Sequence, residues 1–258
     1  MTTSGADASG TLRDLVRLEV VARQLSRHLP APPGRVLDVG GETSAQALRL
    51  ACVGFDVVLL RANEESHAAA VRACDREPES VRCKVDVRAG WLSEVAEAVD
   101  DPRFDVVLCH GALAHTATAR ETVVAVSDLV APGGVVSFVA LNAEGVALRP
   151  ALEGRWADAL DLLLAGEEPQ PLVVGKTGSS LRAQRLEELA AYVAGRRMHV
   201  EGWYGVGLLT AGVAGAQSPP VDADERSAVL AAEELAGRTD PYRRVAPMLH
   251  VVGRRMAA

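Results

Sequence analysis

The chain is poor in lysine and in aromatic residues, and it has no long apolar run. Its 258 residues have a formal net charge of −7 and only two lysines, Lys84 and Lys176. A partner held mainly through its phosphates requires an excess of basic side chains, so we expect no nucleic-acid partner. No apolar run approaches the roughly 20 residues that cross a bilayer, and residues 1–10 lack the pattern of a signal peptide. We therefore expect a cytoplasmic protein without a membrane partner.

Cysteine is also scarce. Cys52, Cys74, Cys83 and Cys109 form no C-x-x-C pair and do not cluster with histidine in a zinc-binding pattern. All four lie in apolar or helical segments. The sequence therefore predicts reduced, buried thiols and no metal site.

Helical and strand-like segments alternate over the first 142 residues. Residues 11–30 have apolar residues at helical spacing and predict an amphipathic N-terminal helix. A second helix is predicted after the first strand, with Thr43 and Gln46 at the spacing of a capping box. Five apolar strand segments, with helical segments between them, predict a parallel sheet that is covered on both faces. The strand segments are RVLDV, FDVVLL, VRCKVDV, FDVVLCH and GGVVSFVALN.

The second half of the chain has a different pattern. Amphipathic helical stretches predict an insertion at about 144–196 that forms a lid over a crevice. Two late strands, in HVEGWYGVGLLT and APMLHVVGRRM, complete a doubly wound, mostly parallel seven-stranded α/β sheet with a hairpin-like edge. We expect one domain at 11–258, preceded by a flexible N-terminus at 1–10.

Ligands of an open parallel sheet bind at the carboxyl ends of its strands, where the strand order reverses. This rule directs attention to the loops at 38–44, 61–63, 86–91 and 109–115. The sequence predicts a crevice over the first, second and fourth strands.

Three segments in these positions resemble a known family. The segments VLDVGG, FDVVLCHGALAH and LVAPGGVVSFVALN are similar to those of class I S-adenosylmethionine-dependent methyltransferases. More narrowly, LNAEG, GWYGVG and TDPYRRVAPMLHVVGRR resemble the subgroup that methyl-esterifies the carboxymethoxy group of a modified tRNA uridine. The resemblance implies a Rossmann-like methyltransferase fold and S-adenosylmethionine as cofactor.

The resemblance also implies a set of cofactor-binding positions. Asp38, Gly40 and Gly41 match the loop after the first strand, where glycine lets the backbone pass close to the cofactor. Asp86 matches the acidic position that holds the adenine amino group. For Asp38 the alternative is a loop residue that only caps nearby amides.

Two residues depart from the family pattern. Glu42 replaces a loop glycine, and Arg61 replaces the acid that takes the ribose hydroxyls and has no acceptor atom of its own. We hypothesise that Glu42 and Arg61 form an ion pair across the ribose space, so that cofactor binding is weak or absent. The alternatives are a solvated Glu42 at a helix N-terminus, and an Arg61 that holds the 2′-phosphate of an NADP-type dinucleotide.

The acceptor side is predicted from polar and aromatic residues beyond the fourth strand. His110 is the candidate catalytic residue, because an imidazole there could take a proton from an acceptor hydroxyl or hydrogen-bond a carboxylate. Core packing is the alternative for the aromatic candidates, and a loop position without a ligand is the alternative for the histidines. The candidate substrate-binding residues are His115, Asn142, Trp203, Tyr204, Tyr242 and Arg243.

These patterns lead to one functional expectation and one alternative. The expected activity is methyl transfer from S-adenosylmethionine to an oxygen of a small acceptor, with a carboxylate as one candidate, in a biosynthetic reaction. The alternative is a protein of the same fold that has lost or changed its cofactor use and acts as a non-methylating biosynthetic enzyme or a regulatory partner. A homodimer is the open alternative to a monomer.

Overall fold

The computed structural model describes residues 10–40, 43–90, 103–116, 118–165, 172–174 and 180–257. Gly41, Glu42 and the helix expected at 91–100 lie outside these ranges. Seven of the described strands form one sheet in the order β3-β2-β1-β4-β5-β9-β8, in which β9 runs antiparallel to the other six. The sheet strands are β1 (Arg35–Val39), β2 (Asp56–Arg61), β3 (Val85–Ala89), β4 (Phe104–His110), β5 (Val130–Leu141), β8 (Met198–Val206) and β9 (Met248–Arg255).

The predicted seven-stranded, mostly parallel sheet is therefore confirmed. The chain begins in the middle of the sheet, with β1 between β2 and β4, so the strand order reverses beside β1. A separate antiparallel pair is formed by β6 (Leu172–Val174) and β7 (Ser180–Arg182).

Helices cover both faces of the sheet. Helix α1 begins at a capping box, in which the Thr11 side chain accepts from the Asp14 N–H and the Asp14 carboxylate accepts from the Thr11 N–H. The described helices are α1 (Leu12–Leu25), α2 (Ala45–Cys52), α3 (Glu64–Asp75), α4 (Glu79–Arg82), α5 (Ala119–Asp128), α6 (Leu148–Leu152), α7 (Trp156–Ala165), α8 (Leu186–Ala194) and α9 (Ala223–Ala236).

The core is divided by the sheet. On one face, α5 and α8 contribute Val123, Val126, Leu189 and Val193 to the largest apolar cluster. On the other face, apolar residues of α1, α2 and α3 pack against β1, β2 and β4. Helix α8 falls in the segment predicted as an insertion, but its apolar stripe packs as part of the sheet's covering layer. The lid role of the remaining insertion stays a prediction.

Several element boundaries differ from the sequence expectation. Strand β3 begins at Val85 and not at Val81, because residues 79–82 form the short helix α4. The helical stretch expected after Gly145 is interrupted by Gly154, whose φ of +75° ends α6 and allows the chain to turn into α7.

The cysteines are only partly as predicted. All four are free, and Cys74 and Cys109 are buried, but Cys52 and Cys83 are exposed. The described residues contain no group of three or more metal-ligating side chains, and none of their helices has the length and apolarity needed to cross a bilayer.

Candidate functional site

Asp38, Gly40, Arg61 and His110 lie together at the carboxyl edge of the parallel strands. Asp38 in β1 is in register with Leu59 and Leu108, so the ends of β2 and β4 flank it on both sides. Gly40 follows β1, while Arg61 and His110 are the last residues of β2 and β4. Of the four residues predicted to line the crevice, Asp38, Gly40 and His110 lie at this edge and Asp86 does not. The crevice itself stays a prediction.

The Arg61 side chain turns back beneath the end of β1 and pairs with Asp38. Its Nη2 atom lies 2.9 Å from Asp38 Oδ2 and 3.1 Å from Ser44 Oγ, and Nη1 donates to the backbone carbonyls of Asp38 and Leu60. Arg61 is 2% exposed and Asp38 is 4% exposed. The partner of Arg61 in the described structure is therefore Asp38. The expected pair with Glu42 is not tested, because Glu42 lies outside the described residues.

Ser44 has a different role from the one that its position suggests. It occupies the N-cap position of α2, but its side chain makes no capping hydrogen bond and instead accepts from Arg61. The predicted Thr43–Gln46 capping box is wrong, because Gln46 donates to the Leu18 carbonyl of α1. The start of α2 is thus arranged around the guanidinium.

Burial dominates the electrostatics of this pair. Loss of hydration raises the pKa of the Asp38 carboxyl above its ordinary value, and the positive charge and hydrogen bond of Arg61 oppose that shift. Cys109, the residue before His110, is also buried; desolvation, with the nearby Asp38, raises the pKa of its thiol to about 12. The Cys109 thiol therefore stays protonated and is not a nucleophile at neutral pH.

Gly40 is required by its backbone conformation and by a close neighbour. Its φ is +75°, and a Cβ added there would lie 3.0 Å from Cβ of Ala112, in the turn after β4. The left-handed conformation and this approach both favour glycine. The turns after β1 and β4 are consequently packed against each other.

A chain of hydrogen bonds connects His110 to the N-terminal helix. His110 Nε2 lies 2.8 Å from Ser137 Oγ, and Ser137 Oγ lies 2.9 Å from His250 Nε2. His250 Nδ1 lies 2.7 Å from Gln24 Oε1, and Gln24 Nε2 donates to the Gly205 carbonyl. These hydrogen bonds thus run from β4 through β5 and β9 to α1, and from α1 to β8.

Both histidines of this chain are held in the neutral form. Burial lowers the pKa of His110 to about 3, and the positive charge of Arg17 on α1 acts in the same direction. Burial also lowers the pKa of His250 well below its ordinary value, and His110 and His28 contribute. His110 therefore carries an uncharged imidazole at physiological pH.

Asp86 is not part of this cluster. It is the second residue of β3, in register with Val58, and so lies three residues before the strand end that neighbours Arg61. Its side chain is exposed and forms an ion pair with Arg88. The expected position after the third strand is wrong because β3 ends at Ala89, so Asp86 lies inside the strand.

Asn142 fastens the end of β5 to the loop before β9. Its Nδ2 donates to the carbonyls of Arg244 and Ala246, both at 2.7 Å, and its Oδ1 accepts from the Glu144 N–H. Asn142 is 1% exposed, and these contacts use both of its amide protons. The structure thus gives it a backbone-fastening role, while a contact with substrate stays a prediction.

The other candidate acceptor residues fall into separate environments. The Arg243 guanidinium lies 3.8 Å from the centre of the Trp203 ring and is paired with both carboxylate oxygens of Asp240. The Tyr242 side chain is exposed, as is His115 in the turn after β4. The charge of Arg243 is already matched within the protein.

Tyr204 lies on the opposite face of β8 from Trp203, because neighbouring strand residues alternate. Its hydroxyl is 2.8 Å from His28 Nε2, and its ring centre is 5.7 Å from that of His250. Its neighbours are therefore the buried polar residues near α1 and not Trp203 and Arg243.

Sequence reasoning missed four residues around His110: Arg17, Gln24, Ser137 and His250. Three of them have a recognisable signal. Gln24 interrupts the apolar stripe of α1, Ser137 interrupts VVSFV, and His250 interrupts MLHVV. A polar side chain within an apolar run is buried, and a buried polar group requires a partner.

Comparison with solved structures identifies the architecture. An S-adenosylmethionine-dependent methyltransferase from Methanosarcina mazei superposes with a TM-score of 0.58 at 15% identity, over 91% of this chain and 98% of that one. The [4+2]-cyclase SpnF superposes with a TM-score of 0.61 at 14% identity, over 98% and 86% of the two chains. These structures share the fold and show nothing further.

The fold and the carboxyl-edge cluster define an α/β protein of the class that binds ligands where the strand order reverses. Residues 13–189 match the family described as methyltransferase domain, and the chain belongs to this family of S-adenosylmethionine-dependent methyltransferases. The predicted resemblance is confirmed. Among curated proteins, the tRNA 5-carboxymethoxyuridine methyltransferase of Escherichia coli strain K12 is 27% identical over 151 residues. That match covers 57% of this chain and 56% of the relative, so it spans about half the length of each.

The described residues fit the family's cofactor, S-adenosylmethionine, only in part. The left-handed turn at Gly40 keeps the backbone free of a side chain at the end of β1, as a close approach requires. At the end of β2, however, Arg61 offers donors where ribose hydroxyls need an acceptor. These donors are also committed to Asp38, Ser44 and two carbonyls, which removes the basis for a 2′-phosphate site on Arg61.

Proposed function

We propose that this protein transfers a methyl group from S-adenosylmethionine to an oxygen atom of a small acceptor. The observation that carries the proposal is the position of His110 at the end of β4, at the same sheet edge as Asp38 and Gly40, in a chain of the methyltransferase family. Burial lowers the pKa of His110, so its imidazole is neutral at physiological pH. A neutral imidazole is a proton acceptor, and oxygen acceptors that begin as hydroxyls must lose a proton.

Gly40 and His110, both at the carboxyl edge of the sheet, have different roles in the proposed reaction. The cofactor supplies a sulfonium methyl group for in-line displacement. Gly40 leaves space for it, and the protein's main contribution is to hold acceptor and methyl group in line. His110 receives the acceptor's proton, since its imidazole is uncharged at physiological pH.

A small acceptor is supported by the overall charge. The net charge of −7 opposes tight binding of a polyanion, although the curated relative from Escherichia coli is named for a tRNA substrate. The acceptor class therefore has to be tested directly against tRNA.

The test uses S-adenosylmethionine that carries an isotopically labelled methyl group. Purified protein is incubated with it and with matched phenol, benzoate and aniline probes, or with total tRNA, and label in each product is measured. We expect label on an oxygen of the small probes. Label that appears only on nitrogen or only in tRNA would overturn the proposal.

The role of His110 is tested in the same assay. His110→Gln removes the proton acceptor and should lower kcat about 100-fold or more. His199→Gln is the matched control, because His199 is an exposed histidine of β8 away from the site, and it should leave the rate unchanged. Equal rates for both variants would remove His110 from the proposal.

A second candidate is favoured by the Asp38–Arg61 pair. The pair lies at the end of β2, where the resemblance to the family places the ribose-binding acid, and this favours a reaction other than methyl transfer. The [4+2]-cyclase SpnF shares this architecture but is named for a different reaction, and fold alone does not decide function. Absence of label transfer to every probe, together with no binding of S-adenosylhomocysteine, would support this candidate.

A further inference from the structure

We infer that the buried chain Gln24–His250–Ser137 fixes the tautomer of His110, and that the site therefore takes a hydroxyl acceptor and not a carboxylate. This inference rests on the proposed function for its reaction and on the hydrogen bonds for its chemistry. The tautomer of each histidine follows from which of the neighbouring atoms carry a proton and can donate it.

The donor and acceptor of each hydrogen bond can be assigned from the end of the network that is farthest from His110. The Gly205 carbonyl can only accept, so the Gln24 atom that faces it must be the amide NH₂, and Oε1 must face His250. His250 Nδ1 then has to carry a proton, because Oε1 can only accept.

The proton on His250 Nδ1 determines the state of its other nitrogen. His250 is fully buried, and in the described part of the chain no carboxylate hydrogen-bonds to it, so its ring is neutral and has one proton. Its Nε2 is therefore an acceptor and takes the single proton of the Ser137 hydroxyl.

The Ser137 hydroxyl then determines which nitrogen of His110 carries the proton. Its hydroxyl proton is used by His250, so its oxygen can only accept from His110 Nε2. The neutral His110 ring consequently has its proton on Nε2, which leaves Nδ1 as a lone pair. Nδ1 has no hydrogen-bond partner within the described ranges of the chain.

A lone pair on Nδ1 discriminates between acceptors. A hydroxyl donates its proton to Nδ1 and is thereby oriented, whereas a carboxylate presents lone pairs to a lone pair. In the transfer the acceptor oxygen bonds to the methyl carbon, the carbon–sulfur bond breaks with its electron pair left on sulfur, and the proton passes to Nδ1. That proton becomes strongly acidic as the new bond forms, because the oxygen would otherwise be positively charged, so a weakly basic imidazole is sufficient.

The positioning residues are tested by ¹⁵N NMR of labelled protein, which distinguishes protonated from unprotonated imidazole nitrogens. We expect His110 to have a protonated Nε2 and a bare Nδ1, and His250 the reverse. Ser137→Ala should give His110 a mixture of tautomers, and Ser137→Thr should restore the single form. Ser127→Ala is the matched control, since it removes a buried hydroxyl that has no hydrogen-bond partner in the described structure.

The acceptor class is tested with the labelled methyl group and two pairs of probes, phenol with benzoate and cyclohexanol with cyclohexanecarboxylate. We expect label in base-stable ethers. Label in base-labile esters, or a protonated His110 Nδ1, would overturn the inference and leave oxygen methylation standing. The expected tautomers without transfer to any probe would instead overturn the proposed function and leave the tautomer assignment standing.

Discussion

Arg61 Nη2 lies 2.9 Å from Asp38 Oδ2, and both side chains are almost completely buried. Arg61 ends β2 and Asp38 lies in the neighbouring strand β1, so the pair joins two strands at the carboxyl edge of the sheet. A buried pair of this kind is costly to break, because the remaining charge has no partner and little water.

The first prediction compares two arginine–aspartate pairs. Arg61→Leu should lower the free energy of unfolding by about 3 kcal/mol or more, because Asp38 is left buried without its partner. The exposed pair Arg88–Asp86 is the control, and Arg88→Leu should cost less than about 1 kcal/mol. Denaturant unfolding measures both, and similar costs would contradict the buried pairing.

The second prediction concerns pH. His110 and His250 have pKa values below 6.5 in the folded protein, so below that pH only the unfolded chain binds protons at these positions. Stability should therefore fall on acidification from pH 6.5, by up to about 1.4 kcal/mol per pH unit for each histidine.

Unfolding midpoints measured between pH 7 and pH 5.5 test this, with His250→Gln as the comparison. The variant should lose about half of the histidine-dependent slope. An unchanged slope in the variant would mean that His250 is protonated in the folded state.

The third prediction compares Gly40 with Gly111, in order to separate the cost of a left-handed backbone from the cost of a steric contact. Gly40 and Gly111 both have positive φ, but only at Gly40 would a Cβ meet a neighbour within 4 Å. Gly111→Ala should cost about 1 kcal/mol from its conformation, and Gly40→Ala about 1 kcal/mol more from contact with Ala112. Equal melting temperatures for the two variants would argue against close packing of the two turns.

The fourth prediction uses two asparagines. Asn142→Asp removes the two donations to Arg244 and Ala246 and sets an oxygen against both carbonyls, so it should lower the free energy of unfolding by about 2 kcal/mol or more. Asn63→Asp should be nearly neutral, because Asn63 caps α3 through an oxygen that aspartate retains. A small cost at both positions would show that the Asn142 contacts are dispensable.

The sheet could be predicted because its signal is local. Apolar segments such as FDVVLCH are long enough to be recognised alone, and their alternation with helices determines the parallel order. Strand β3 is half-exposed and its apolar signal is weak: it begins four residues later and ends two residues later than the segment VRCKVDV, so Asp86 lies inside it.

The candidate site could be predicted only in part, because the side-chain contacts of Arg61 and His110 cannot be derived from the sequence. Arg61 departs visibly from the family pattern, but only coordinates show that the Arg61 guanidinium pairs with Asp38. The contacts of His110 come from β5, β9 and α1, more than 100 residues apart at the extremes. Their polar residues within apolar runs were visible, whereas their convergence required the fold.

The central claim is that the Asp38–Arg61 pair replaces the ribose-binding acid and weakens the hold on the family's cofactor. Calorimetry with S-adenosylhomocysteine tests it on wild type, Arg61→Glu and the surface control Arg88→Glu, each first checked for folding. We predict weak wild-type binding, about tenfold or greater strengthening in Arg61→Glu, and no change in Arg88→Glu. Micromolar binding by the wild type that Arg61→Glu weakens would contradict the claim and make Arg61 part of a working, altered cofactor site.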